Sequence, residues 1–81
     1  MANRPQEKEA RMLGIGLDNQ DGHVRITRGP NFTVVMGSEE THDRLQGTCQ
    51  RINERLQKKG RRLADLNGEE FASMVQELGD P

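Results

Sequence analysis

Aromatic side chains are almost missing from this chain of 81 residues, which holds two Phe, no Tyr and no Trp. Nothing is interleaved with its arginines that would stack a nucleobase. Cysteine occurs once, as Cys49, so no disulfide forms within the chain and a stapled secreted scaffold is excluded. No apolar run approaches the roughly 20 residues that a membrane-spanning helix needs. The first nine residues, Met1-Ala2-Asn3-Arg4-Pro5-Gln6-Glu7-Lys8-Glu9, are polar, and no secretory leader is expected in them. These absences point to a protein of the cytoplasm without a membrane contact.

Neither sign of charge prevails, with 12 basic and 13 acidic side chains and a net charge of −1. The near-neutral total hides a strong segregation along the sequence. Residues 1–11 carry a net +1, residues 12–43 a net −3, residues 44–62 a net +6 and residues 63–81 a net −5. The pattern, more than the total, bears on partners.

What is present reads as one small domain behind a polar tail. Residues 1–11 mix both charges, contain Pro5 and show no apolar period, so a disordered tail is expected there. From residue 12 the pattern becomes ordered. Leu13, Ile15 and Leu17 alternate with Gly14 and Gly16, which predicts a strand over about 12–17. Asp18-Asn19-Gln20-Asp21-Gly22 is a cluster of turn formers. Val24 and Ile26 alternate with His23, Arg25 and Thr27 and predict a second strand over about 23–28, broken by Gly29-Pro30. Phe32, Val34 and Met36 predict a third over 32–36. Short connections favour adjacent antiparallel pairing, hence a three-stranded antiparallel meander.

Two helices are expected to follow. Ser38 suits the cap of the first (about 39–59), Glu39 and Glu40 suit its positive end, and Gly60 stops it. Leu45, Cys49, Ile52 and Leu56 recur at +4, +3, +4 and form a narrow apolar stripe. Asn67 with Glu70 approximates a capping box, and Leu66 with Phe71 a hydrophobic staple, for a helix over about 68–78. The expected architecture is α+β, with both helices on one sheet face. That face would bury Leu13, Ile15, Leu17, Val24, Ile26, Phe32, Val34 and Met36 against Leu45, Cys49, Ile52, Leu56, Leu63, Leu66, Phe71, Met74, Val75 and Leu78. Even counted this way the core is thin for its length, a situation small domains often relieve by association.

Two surface features bear on function. Arg44, Arg51, Arg55 and Lys58 project from one side of the first helix, and Lys59, Arg61 and Arg62 extend the patch, a candidate contact for nucleic acid or an acidic partner. The −5 block that follows offers internal pairing or contact between subunits instead. In a meander the first and third strands are both edges, and neither carries the proline or lysine that commonly protects one. Leu13, Gly14, Ile15, Gly16 and Val35 are therefore the candidate self-association edge or face.

Catalytic and metal chemistry find little support. Leu13-Gly14-Ile15-Gly16 lacks the third glycine, the lysine and the helix start of a phosphate loop. His42 and Cys49 lie seven helical residues apart, about 10.5 Å along the axis, beyond one metal's reach. Cys49 is expected in the core and His42 partly exposed. No cofactor, metal or catalytic residue is expected, and an enzyme would require a site shared between subunits. The leading expectation is a non-catalytic, homo-oligomeric interaction or regulatory module, a dimer in its simplest form. A protein partner is favoured over nucleic acid, whose binding through the basic stripe is the alternative.

Overall fold

The computed structural model describes residues 10–19 and 22–79, so residues 1–9 of the tail expected over 1–11, and Gln20 and Asp21 of the turn cluster, lie outside the described residues. Three strands, β1 (Met12–Gly16), β2 (Ile26–Arg28) and β3 (Phe32–Met36), precede helix α1 (Glu39–Lys59), a 3-10 turn (Leu63–Asp65) and helix α2 (Gly68–Leu78). The class is α+β, as the sequence led one to expect.

The sheet is not a meander. Its order is β1-β3-β2, with β1 parallel and β2 antiparallel to β3. β2 and β3 form a local hairpin closed by the Gly29 amide donating to the Phe32 carbonyl at 2.8 Å. The longer connection over residues 17–25 carries the chain past the end of β3, so β1 occupies the far side of β3. Short loops favour neighbouring strands, but a stretch of this length spans two strand spacings of about 4.8 Å without strain. The second strand is also shorter than expected. His23 and Val24 lie outside it, although the Met36 amide still donates to the Arg25 carbonyl at 2.7 Å.

The largest correction concerns which face is buried. Register pairs Met12 with Phe32, Gly14 with Val34 and Gly16 with Met36, so the glycines share the inner face with Phe32 and Val34. Leu13, Ile15, Leu17, Val24 and Ile26, expected in the core, are instead exposed. Alternation shows that the two faces of a strand differ, but one residue of slip exchanges them. Close approach decides between them. A Cβ on Gly14 would stand 3.4 Å from the Leu45 Cβ of α1, and one on Gly16 would stand 2.4 Å from the Gly37 Cα. The bare side of β1 is thus where the helix and the β3–α1 connection come down onto the sheet. In β2 the inner position is Thr27, paired with Val34, while Ile26 pairs with Val35 on the outer face.

Met12, Phe32, Val34, Cys49, Ile52 and Leu56 make up the buried core, with Leu45, Leu63, Leu66, Phe71, Met74 and Leu78 packed against it. α1 lies across β1 and β3, and α2 packs against α1. Val75, also expected inside, is exposed. Burial pushes the Cys49 thiol above its ordinary value, which keeps it a neutral core residue.

His42 corrects a second expectation, being 5% exposed rather than partly open. It continues the stripe of Leu45, Cys49, Ile52 and Leu56 one turn toward the N-terminus, a +3 step. Its Nδ1 lies 3.0 Å from the Met36 carbonyl and its Nε2 2.8 Å from Thr27 Oγ1. A carbonyl only accepts, so Nδ1 carries a proton and donates to it, and Nε2 shares a hydrogen bond with the Thr27 hydroxyl, which can serve as donor or acceptor. The ring thereby ties α1 to both strands of the hairpin where Met36 (φ 62°) and Gly37 (φ 86°) turn through left-handed conformations.

The start of α1 is anchored by a residue from the turn cluster. Ser38 Oγ accepts from the Thr41 amide, the expected cap, at 3.2 Å. Asp18, just beyond β1, accepts from the Ser38 amide at 2.9 Å, the Ser38 hydroxyl at 3.0 Å and the Thr41 hydroxyl at 2.7 Å. These donors, led by the Ser38 amide, lower its carboxyl to about 2 from an ordinary 3.8. Because the folded value lies below the unfolded one, this contribution to stability is present above about pH 4 and is lost as pH falls through about 2. Asp65 and Glu70, also held below their ordinary values by hydrogen bonds, act in the same direction. In urea titrations, Asp18→Asn should lower the midpoint at pH 7 and flatten its fall between pH 4 and pH 2. An unchanged acid limb would mean that Asp18 does not couple to folding.

The remaining caps follow the sequence. Gly60 ends α1 at φ 64°, its amide donating to the Gln57 carbonyl at 3.2 Å. Asn67 Oδ1 accepts from the Glu70 amide at 2.8 Å and Glu70 Oε1 from the Asn67 amide at 3.1 Å, a complete capping box.

Candidate self-association surface

The inner side of the sheet is satisfied by α1; the outer side carries the features that bear on function. Its central row runs Ile15, Val35, Ile26 across all three strands, with Leu13, Thr33 and Arg28 in the next row. Leu13 is 64% exposed, Ile15 54% and Ile26 57%, while Leu17 and Val24, just beyond the strand ends, reach 92% and 73%. A single exposed Leu needs no explanation, but monomers rarely expose contiguous apolar patches larger than a few hundred Å². At the Met12 end the patch meets Arg11, whose guanidinium donates to the carbonyls of Pro30 at 3.4 Å and Phe32 at 3.3 Å. The last residue of the expected tail is thus laid along the sheet.

Of the candidate edge and face residues, Leu13, Ile15 and Val35 share this outer side, whereas Gly14 and Gly16 face inward beneath α1 and Gly37. β1 is an edge strand, as expected. The third strand, also expected at an edge, is instead the central one, so the other edge is β2 and Val35 lies on the face and not at an edge.

The basic residues are drawn largely into the chain's own structure. Arg44 pairs with Glu40 at 2.6 Å within α1. Arg55 reaches Glu77 of α2 at 3.0 Å, Arg61 reaches Glu70 at 2.8 Å and Arg62 reaches Asp65 at 3.2 Å. Arg51 Nε donates to the Leu78 carbonyl at 2.7 Å, at the C-terminal end of α2 where a cation is favoured. The +6 and −5 blocks therefore meet across the α1–α2 hairpin. The Glu70 hydrogen bond raises Arg61 further above its already high ordinary value and lowers Glu70 in turn. Lys58 and Lys59 remain exposed in the last turn of α1. Side chains held this way present fewer free cations to a phosphate backbone than the bare sequence suggests.

The chain matches no family model, no curated protein and no solved structure. Its function is read from its own geometry. Among the described residues, no group of three His, Cys, Asp or Glu side chains is placed to hold a metal ion, and no helix is long and apolar enough to cross a membrane. Sequence reasoning names β1 for association but places its Leu13 and Ile15 in the core. The signal for the opposite assignment is the glycine alternation itself, since two bare positions on one face of a strand admit a helix more closely than Leu13 and Ile15 on the other face would.

Proposed function

We propose that this protein is a non-catalytic interaction module that works as a homo-oligomer, a dimer in its simplest form, assembled through its sheet. The observation that carries this reading is the outer sheet face, where Leu13, Ile15 and Ile26 flank Val35 and are each more than half exposed. Full burial of such a side chain is worth about 1.5–3 kcal/mol, and laying Leu13 and Ile15 of two copies side by side recovers part of it while Ile26 stays exposed. The six-residue buried core makes the same point from inside, because a core this small leaves the domain dependent on added burial. A protein partner is favoured over nucleic acid by the internal pairing of Arg44, Arg55, Arg61 and Arg62.

Sedimentation velocity across a concentration series tests the reading. The wild-type chain should shift from one to two copies with rising concentration, and its thermal midpoint should rise with it. Leu13→Lys with Ile15→Lys, at exposed positions where the fold tolerates charge, should remain a monomer throughout. A wild-type chain that stays monomeric at hundreds of micromolar would sink the proposal.

A further inference from the structure

We infer that the second copy pairs along the open edge of β1, antiparallel and two-fold symmetric about Gly14, so that two sheets join into one of six strands in the order β2-β3-β1-β1-β3-β2. This deepens the proposed function and rests on it.

The backbone of β1 supplies the register. The Met12 amide donates to the Asn31 carbonyl at 2.8 Å, and Met12 is the register partner of Phe32. In a parallel ladder this alternation directs the polar backbone groups of Met12, Gly14 and Gly16 toward β3 and those of Leu13 and Ile15 toward the open edge. Among the described residues, no strand pairs with that edge.

A two-fold axis through Gly14 sets Leu13 opposite Ile15 of the second copy, and Ile15 opposite Leu13 of the second copy. In an antiparallel pair, opposed residues of this kind exchange both of their N–H···O=C bonds. The two pairs would satisfy all four open-edge donors and acceptors of Leu13 and Ile15 in each copy. Gly14 then faces Gly14 of the second copy at the close, non-hydrogen-bonded position. There the Cβ site is already bounded by Leu45 at 3.4 Å, and a bare residue on both sides relieves the crowding.

The composition of β1 selects this edge over the other. Met-Leu-Gly-Ile-Gly carries no charge and no proline, the usual devices against edge-to-edge pairing. β2 is three residues long, ends in Arg28 and runs into Gly29-Pro30, so pairing two copies of it brings like charges together. Pairing β1 with β2 of another copy is head-to-tail and propagates without closing, whereas β1 with β1 closes at two copies. The joined sheet also lays Leu13 and Ile15 of both copies side by side, where cross-strand aliphatic pairs add their own stabilisation.

Residue-resolved amide hydrogen exchange on the wild-type chain, at protein concentrations below and above the association midpoint, tests the pairing. The amides of Leu13 and Ile15 should slow by at least about tenfold as the dimer forms, while those of Ile26 and Arg28 should not change. Ile26→Lys, which charges the outer face but leaves the β1 edge intact, should dimerise with a dissociation constant within about threefold of wild type. A dimer in which Leu13 and Ile15 keep exchanging at the monomer rate overturns the β1 pairing and leaves self-association standing. So does protection that appears at Ile26 and Arg28 instead, or a monomeric Ile26→Lys. A wild-type chain that never associates overturns the proposed function as well.

Discussion

Replacing Gly16 by alanine should cost this domain about 2–4 kcal/mol, a large share of the few kcal/mol expected for its size. The methyl group would stand 2.4 Å from the Gly37 Cα and 2.8 Å from its amide nitrogen, and both obstacles are backbone. A flexible side chain could swing away, but a backbone obstacle moves only if the segment moves. That segment is fixed from several sides. Met36 and Gly37 hold left-handed conformations, the Met36 carbonyl accepts from His42, and the Ser38 amide is held by Asp18. Relief of the clash must therefore pull apart β1, the β3–α1 connection and the start of the helix together. Urea unfolding followed by circular dichroism should show a much lower midpoint for Gly16→Ala. Gly68→Ala is the control, because nothing stands within 4 Å of its Cβ site and alanine favours the first turn of α2. Equal midpoints for the two variants would contradict the close approach of β1 to Gly37.

Ile52→Ala should be comparably severe, at about 2–5 kcal/mol, for the opposite reason. Ile52 is 1% exposed, in mid-α1, and belongs to the cluster that joins the helix to Met12, Phe32 and Val34. Truncation leaves a void that a core of six buried residues has few neighbours to fill. Ile26→Ala removes comparable aliphatic bulk from the outer face, where the side chain is 57% exposed, and should change monomer stability by no more than about 0.5 kcal/mol. Thermal melts in dilute solution, below the association midpoint, should separate the two variants clearly. Similar losses at Ile26 and Ile52 would mean that the outer face is buried in the monomer after all.

The contrast between those two isoleucines also separates local from tertiary information. The helices could be read from local signals alone: Ser38 and Gly60 bracket α1, and Asn67 with Glu70 opens α2. Caps act through hydrogen bonds between residues three or four apart, and an apolar stripe repeats within one helix, so both are written locally. The three strands were legible for the same reason, since a period of two is also local. His42 could have been placed inside by its +3 step from Leu45, had polarity not argued for the surface.

The order of the strands, the face each one buries and the use of the charges came from packing between distant segments. Loop lengths permit both β1-β2-β3 and β1-β3-β2, and alternation reads the same from either side of a strand. The choice fell to packing between distant segments: Gly14 under Leu45, Gly16 against Gly37, and Thr27 reaching His42. Those contacts turn Leu13, Ile15 and Ile26 outward, and so move the apolar surface from the expected core to the candidate interface. Asp18 shows the same limit on a smaller scale. As a turn former it is visible in the sequence, but as the anchor of a helix 20 residues away it exists only once β1 lies beside β3.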